Sequence, residues 1–184
     1  MDLIDAYNRL KKSYDLSILF SLGLYHKYKN VNRIYLDENE ELKNINSYIK
    51  YLDKSFFKIF GNTVYVCLVD YTEQECNSFP NEELTLLKKC GIDIKETDSK
   101  YFSKYIEDEE RYAHYLLHVV KKNNLNLYIK GLLSLHLDKE PYFTSNMFIL
   151  SEDLKYLINL YDDRGVDVMK MLIDTSQNSS INRS

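Results

Sequence analysis

The chain has no tryptophan, only two prolines and only five glycines. Proline and glycine interrupt helices and strands most strongly, so their scarcity leaves few places for a linker between domains. The sequence therefore predicts a single domain over residues 1–174. Residues 175–184 consist mainly of serine, asparagine and other polar residues, which predicts a disordered tail.

The sequence has few cysteines and no long hydrophobic run. No stretch of about 18 apolar residues occurs, which excludes a transmembrane helix. Cys67, Cys76 and Cys90 are odd in number and lack CxxC spacing, which argues against a disulfide framework or a zinc site. Residues 1–15 contain acidic side chains and no apolar core of signal-peptide length. Together these observations predict a reduced, cytoplasmic protein.

Motifs of well-known enzyme families are also missing. The sequence has neither of the Gly-rich nucleotide-binding patterns, GxGxxG and GxxxxGK[ST], and no GxSxG elbow. We therefore assign no catalytic residues, no metal ligands and no cofactor. The net charge of -4 argues against a nucleic-acid partner, since such proteins usually carry a basic surplus. A mildly acidic protein is better matched to a basic protein partner.

Hydrophobic periodicity predicts both helices and strands. Apolar residues at spacings of three and four indicate helices at 2–13 and 40–60, with Gly61 as the stop of the second. Further helices are expected from Ser78-Phe79-Pro80 to Cys90-Gly91, and at 125–136 after Asn124. Strands are predicted at 16–22, 63–69, 147–150 and 155–161, with a turn at 151–153. Residues 112–120 fit either a strand or a helix. The fold class is α+β, with a mostly antiparallel sheet of four to six strands and helices packed on it.

The two histidines His114 and His118 are four residues apart. On a helix this spacing would bring both rings close enough to share a metal or to act as acid and base. On a strand the two rings share a face but lie roughly 13 Å apart. The surrounding tyrosine, leucine and valine residues favour the strand, where each histidine is partly buried and makes its own hydrogen bonds.

Charged residues concentrate in the segment Tyr161-Asp162-Asp163-Arg164-Gly165-Val166-Asp167. The aspartates could bind a divalent cation, or Arg164 could hold an anion. The same residues also fit a hairpin turn, because aspartate starts turns and apolar runs flank the segment on both sides.

Two short acidic runs lie elsewhere, at Asp37-Glu38 with Glu40-Glu41, and at Glu107-Asp108-Glu109-Glu110. The first is explained by the predicted helix that begins there, whose dipole favours carboxylates. The second precedes residues 112–120, for which a strand is favoured, so a helix dipole explains it less well. It is either a solvated loop or a surface that binds a basic protein.

The string Leu160-Tyr161-Asp162-Asp163-Arg164-Gly165-Val166-Asp167-Val168 resembles the hallmark of an uncharacterised bacterial family, domain of unknown function 3885. Three further segments are similar in order: Phe20-Ser21-Leu22-Gly23, Val31-Asn32-Arg33-Ile34-Tyr35, and Tyr105-Ile106-Glu107-Asp108-Glu109-Glu110 running into His114. The resemblance covers roughly residues 16 to 169 and implies an α+β fold and a soluble bacterial protein. It implies no activity, so no catalytic residue is carried over.

We therefore expect a non-catalytic binding protein, most concretely a cytoplasmic immunity protein that occludes the surface of a basic bacterial toxin domain. Small acidic α+β proteins often serve in this role, which is an analogy of fold and charge. The expected partner-binding residues are Glu107, Asp108, Glu109, Glu110, Asp162, Asp163, Arg164 and Asp167.

Two other functions stay open from the sequence. One is a metal-assisted hydrolase or nuclease, in which Asp162, Asp163 and Asp167 hold the metal and His114 or His118 is the acid–base group. The other is a structural or regulatory subunit of a homo-oligomer, although the sequence does not determine an oligomeric state.

Overall fold

The computed structural model describes residues 1–21, 24–35, 45–55, 60–136, 139–160 and 165–173. These residues form a single antiparallel sheet with helices on both of its faces. The helices are α1 (Leu3–Ser13), α2 (Leu16–Leu19), α3 (Leu24–Lys27), α4 (Ile45–Ser55), α5 (Asn81–Lys89) and α6 (Leu125–His136). The strands are β1 (Val31–Tyr35), β2 (Thr63–Thr72), β3 (Ser99–Ile106), β4 (Arg111–Lys121), β5 (Asn146–Ser151), β6 (Tyr156–Leu160) and β7 (Gly165–Lys170).

The sheet has seven strands in the order β1-β7-β6-β5-β2-β4-β3, with antiparallel pairing throughout. The α+β class is confirmed, and the strand number is one above the expected range. Residues 112–120 belong to strand β4, which settles the ambiguity between strand and helix. The helix at 40–60 is confirmed for Ile45–Ser55, Phe60 is not helical, and residues 40–44 and 56–59 lie outside the described part. The predicted tail at 175–184 also lies outside it.

The prediction of a strand at residues 16–22 is wrong, because Leu16–Leu19 is a short helix. The carboxylate of Asp15 caps it by accepting a hydrogen bond from the Ser17 N–H at 2.9 Å. Leu16 and Leu19 are buried, whereas Ile18 is 47 % exposed, so burial follows helical spacing. A short apolar run cannot be assigned from periodicity alone, and here the local cap decides the outcome.

Helix α5 begins and ends as its sequence predicts. Pro80 precedes its first residue, and Gly91 ends it with φ of +81°. The N–H of Gly91 donates to Lys88 O at 3.0 Å and the N–H of Ile92 donates to Leu87 O at 3.0 Å. These two bonds satisfy the last carbonyls of the helix and form a Schellman motif, whose left-handed residue favours glycine.

The sheet separates two hydrophobic clusters. One face of β2, including Val66 and Leu68, packs with α4, α5 and α6. The other face, including Tyr65 and Cys67, packs with α1, α2 and α3. Because β2 is buried on both faces, its sequence is a continuous apolar run rather than an alternating one. No helix within the described ranges is long and apolar enough to cross a membrane.

The strand pairing determines which loops share an end of the sheet. Thr72 at the end of β2 is paired with Tyr112 at the start of β4, and Tyr112 is paired with Tyr105 near the end of β3. Strand β5 pairs with both β2 and β6, and β6 pairs with β7. The same end of the sheet therefore also contains Leu160 at the end of β6 and Gly165 at the start of β7. We call this end of the sheet the Thr72 end, and the opposite one the Thr63 end.

Candidate protein-binding site

The acidic run Glu107-Asp108-Glu109-Glu110 forms the connection between β3 and β4 at the Thr72 end. Residues Glu107–Glu109 make one turn of 3-10 helix, and Glu110 follows in a left-handed conformation with φ of 49°. All four side chains are exposed. No α-helix begins here, so a helix dipole does not account for the run. We call residues 107–110 the acidic hairpin.

One cation lies next to the acidic hairpin. The Arg111 Nε donates to Glu109 Oε2 at 2.6 Å, and the guanidinium carbon lies 4.1 Å from the centre of the Tyr71 ring. Arg111 is thereby held against the sheet and compensates one carboxylate. Within the described ranges, the other carboxylates of the hairpin have no ion-pair partner, so the hairpin keeps a net negative charge.

A second acidic feature lies at the same end of the sheet and could not be predicted from the sequence. A pocket of about 760 Å³ lies between the end of β2 and the first turn of α5. Its lining includes Asp70, Glu73, Glu82 and Glu83, and we call it the acidic pocket. Residues 70–83 contain five carboxylates and no lysine or arginine. Burial, and then the charge of Glu83, raise the pKa of Asp70 above its ordinary value.

The carboxylates of the acidic pocket have different structural roles. Glu83 is only 3 % exposed, and its carboxylate accepts four hydrogen bonds from the N–H groups and hydroxyls of Thr144 and Ser145. It therefore joins α5 to the segment before β5. Glu73 and Glu82 are exposed and remain accessible to a ligand.

His114 fixes the loop that follows β2. Its Nε2 lies 2.8 Å from Thr72 Oγ1 and its Nδ1 lies 2.8 Å from the Tyr101 hydroxyl. Those hydroxyls in turn lie 2.6 Å from the carbonyl oxygen of Gln74 and 2.5 Å from that of Cys76. Burial lowers the pKa of His114. The histidine thus stabilises one wall of the acidic pocket.

His118 lies elsewhere on the same strand and has different partners. Its Nε2 is 2.9 Å from the Tyr128 hydroxyl on α6, and the side chain is 2 % exposed. The two histidines therefore have the separate, hydrogen-bonded positions that the strand interpretation predicts. They do not share a binding site.

Asp167 has a different role from the one expected of a partner-binding residue. Its side chain is fully buried on β7, and its two carboxylate oxygens accept hydrogen bonds from Arg33 on β1 at 2.8 and 3.1 Å. The register pairs these two residues directly, so the ion pair fastens the edge strand β1 to the sheet. This burial could not be predicted from the sequence, because Arg33 is 134 residues away along the chain.

Asp167 is also far from both histidines. It lies on the face of the sheet that packs with α1, whereas His114 and His118 lie on the opposite face. Four strand spacings separate β7 from β4, which is roughly 19 Å at about 4.8 Å per spacing. The structure therefore does not combine Asp167 with a histidine, as the hydrolase alternative requires. Asp162, Asp163 and Arg164 lie outside the described residues, between strand ends that belong to the Thr72 end.

We expect the Asp167→Asn variant to lose about 2 kcal/mol of unfolding free energy. Breaking a fully buried ion pair costs more, but Arg33 is 18 % exposed and can regain some hydration. Urea denaturation measures the loss, and amide hydrogen exchange should accelerate first in β1. The double variant Arg33→Met with Asp167→Leu removes both charges and should recover most of the stability. A double variant no more stable than Asp167→Asn would contradict the ion-pair explanation.

Two further features of the described residues concern metal binding and cysteine chemistry. No group of three or more histidine, cysteine, aspartate or glutamate side chains within it could hold a metal ion. The three cysteines are free, and burial raises the pKa of the Cys67 thiol well above its ordinary value, which makes it a poor nucleophile.

Comparisons with known proteins identify a family and nothing more specific. Neither the comparison with curated proteins nor the comparison with solved structures returned a match. A family model described as Domain of unknown function (DUF3885) matches residues 7–175, which is most of the chain and includes the whole sheet. The chain therefore belongs to the DUF3885 family.

Proposed function

We propose that this chain is a non-catalytic protein-binding module that recognises a basic protein through the Thr72 end of its sheet. The observation that supports it is the convergence of two acidic segments at this end. The acidic hairpin and the acidic pocket are distant in sequence, but Tyr112, which follows the hairpin, pairs with Thr72 in the lining of the pocket. A negative surface of this kind speeds the encounter with a basic partner and disfavours acidic ones.

The same end of the sheet also carries tyrosine side chains. Tyr105 is 45 % exposed, and its ring centre lies 5.1 Å from that of Tyr112. A tyrosine ring contributes a large contact area and a hydroxyl at small entropic cost, which suits a binding surface. Carboxylates around exposed tyrosines match an interface in which aromatic contacts supply affinity and charge supplies selectivity.

The most concrete form of this function is that of an immunity protein in the bacterial cytoplasm. The protein would neutralise a toxin domain by covering its basic active or substrate-binding surface, with no chemistry of its own. A toxin that binds nucleic acid needs such a basic surface, because it must neutralise phosphates. Asp162, Asp163 and Arg164 are included in the proposed contact region, because the strands on either side of them end at the Thr72 end.

We expect the double variant Glu107→Lys with Asp108→Lys to weaken binding of the partner by at least about tenfold. The tagged protein would first be used to isolate a stoichiometric partner from its own organism. Association and dissociation rates would then be measured at several salt concentrations. Most of the loss should appear in the association rate, because exposed charges act mainly during the encounter.

A control variant with the same change in net charge separates local from global electrostatics. Asp53→Lys with Glu96→Lys alters two carboxylates near the Thr63 end, one next to Lys122 and one just before β3. It should change the affinity by less than about twofold, since a Debye length is roughly 8 Å at physiological salt. Equal losses in the two double variants, or no loss in either, would refute binding through the Thr72 end.

A further inference from the structure

A second pocket, of about 310 Å³, lies near the Thr63 end of the sheet. It is formed by the segment after α5, the last residues of β4 and the first turn of α6. Its lining combines a hydrogen-bonded pair of buried side chains, His118 and Tyr128, with charged residues of both signs. It is distinct from the acidic pocket, with which it shares no lining residue.

The hydrogen bonds of His118 define which atoms of the pair can bind a ligand. Burial lowers the pKa of His118 to about 4, so the ring is neutral at pH 7 and carries a single N–H. Nδ1 lies 3.4 Å from the carbonyl oxygen of Leu116, which cannot donate, so we assign the ring proton to Nδ1. Nε2 then accepts the hydroxyl proton of Tyr128 at 2.9 Å. The Tyr128 oxygen has thus used its proton and can only accept a hydrogen bond from a ligand.

Within the described residues, the charges of the lining are not neutralised by ion pairs. Asp93 and Asp98 supply carboxylates and Lys95 supplies an ammonium group, all at exposed positions. None of these three side chains has an ion-pair partner among the described residues. A ligand that carries both a cationic donor and an anionic acceptor would pair with the carboxylates and with the ammonium group of the pocket.

We propose that this pocket binds a free α-amino acid as its zwitterion. The ligand's ammonium group donates to the Tyr128 oxygen and to Asp93 or Asp98, and its carboxylate accepts from Lys95. Each contact pairs a charged or donor group of the ligand with an oppositely charged or accepting group of the pocket. Separate α-ammonium and α-carboxylate groups are the defining feature of this class of ligand.

The size and apolar part of the lining narrow the ligand further. Pockets for small molecules span about 300–1,000 Å³, so 310 Å³ fits a small metabolite better than a nucleotide or a large cofactor. Ile92, Ile94 and Leu127 also line the pocket. Burial of an apolar ligand side chain against these residues adds affinity, so we expect a preference for leucine, isoleucine, valine or methionine.

NMR titration of the ¹⁵N-labelled protein with each of these four amino acids tests the proposal. Saturable shifts should appear at the backbone amides of residues 91–95 and 124. The N-acetyl and carboxamide derivatives of the same amino acids serve as probes in which one charge is removed. Each derivative should bind at least about tenfold more weakly, since it loses the charge-assisted hydrogen bonds made by one of the two charged groups.

Two variants keep the test independent of any single substitution. Tyr128→Phe keeps the ring and removes the accepting oxygen, and Lys95→Gln removes the ammonium group from an exposed position. Each should weaken binding by about fivefold or more, whereas Tyr35→Phe, on strand β1, should leave it unchanged. The absence of saturable shifts with all four amino acids would overturn the proposal. Equal binding of the free and blocked amino acids would overturn it as well.

Discussion

Replacement of Glu83 by alanine is expected to lower the free energy of unfolding by about 4 kcal/mol. The carboxylate accepts hydrogen bonds from two backbone N–H groups and two hydroxyls, at 2.6 to 2.8 Å. Leaving a buried donor without a partner costs about 1–3 kcal/mol, and water entering the vacated space would offset part of the total. The loss is measured by urea denaturation at pH 7.

Two further variants at the start of α5 separate the hydrogen bonds from helix effects. Glu82 is the exposed neighbour of Glu83 in the same first turn, so Glu82→Ala changes the interaction with the helix dipole but leaves the buried network intact. It should cost less than about 0.5 kcal/mol. Glu83→Gln should be intermediate at about 2 kcal/mol, because its amide nitrogen would face donors instead of accepting from them. Similar losses for Glu82→Ala and Glu83→Ala would refute this role of Glu83.

The same hydrogen bonds connect stability to the proposed function. Thr144 lines the acidic pocket together with Glu83, so the network holds the start of β5 against α5 at the wall of that pocket. A protein-binding surface gains affinity when its groups are held in place before the partner arrives. The charge that stabilises the fold here also contributes to the negative surface of the Thr72 end.

The fold was largely predictable because most of its elements carry local signals. The continuous apolar run of β2 and the Pro80 and Gly91 boundaries of α5 depend on neighbours in sequence, and the structure confirms them. Residues 112–120 were ambiguous because a strand buried on both faces loses its alternation. Leu16–Leu19 was misassigned because the run is too short for its periodicity to be decisive.

The candidate site was less predictable, because it depends on contacts between distant residues. The acidic hairpin is contiguous in sequence and could be found there. The acidic pocket could not, because its carboxylates are spread from Asp70 to Glu83 and converge only when α5 packs beside the end of β2. Asp167 is the opposite case, because a charged residue that the sequence predicts to be at the surface is buried against Arg33. A charge pattern therefore indicates a surface only after strand pairing is known.

Buried His118 is expected to make the protein less stable as the pH falls from 6.5 to about 4. In the unfolded chain its pKa has the ordinary value of 6.5, whereas burial lowers the pKa to about 4 in the folded state. The unfolded state therefore takes up a proton that the folded state refuses, so acid favours unfolding. This effect does not reduce the unfolding free energy above pH 6.5. Below that pH the unfolding free energy falls progressively, and the total loss down to pH 4 is about 3 kcal/mol.

The difference between wild type and His118→Gln isolates this contribution from other titrating groups. Glutamine can still hydrogen-bond the Tyr128 hydroxyl but does not titrate, so its unfolding free energy should fall less steeply with acid. The carboxylates and His114 titrate in both proteins and cancel in the comparison. Urea denaturation at pH 7.5, 6.0, 5.0 and 4.5 provides the curves. Parallel curves for wild type and His118→Gln would contradict this prediction. They would mean that His118 takes up its proton equally readily in the folded and the unfolded protein, despite its burial against Tyr128.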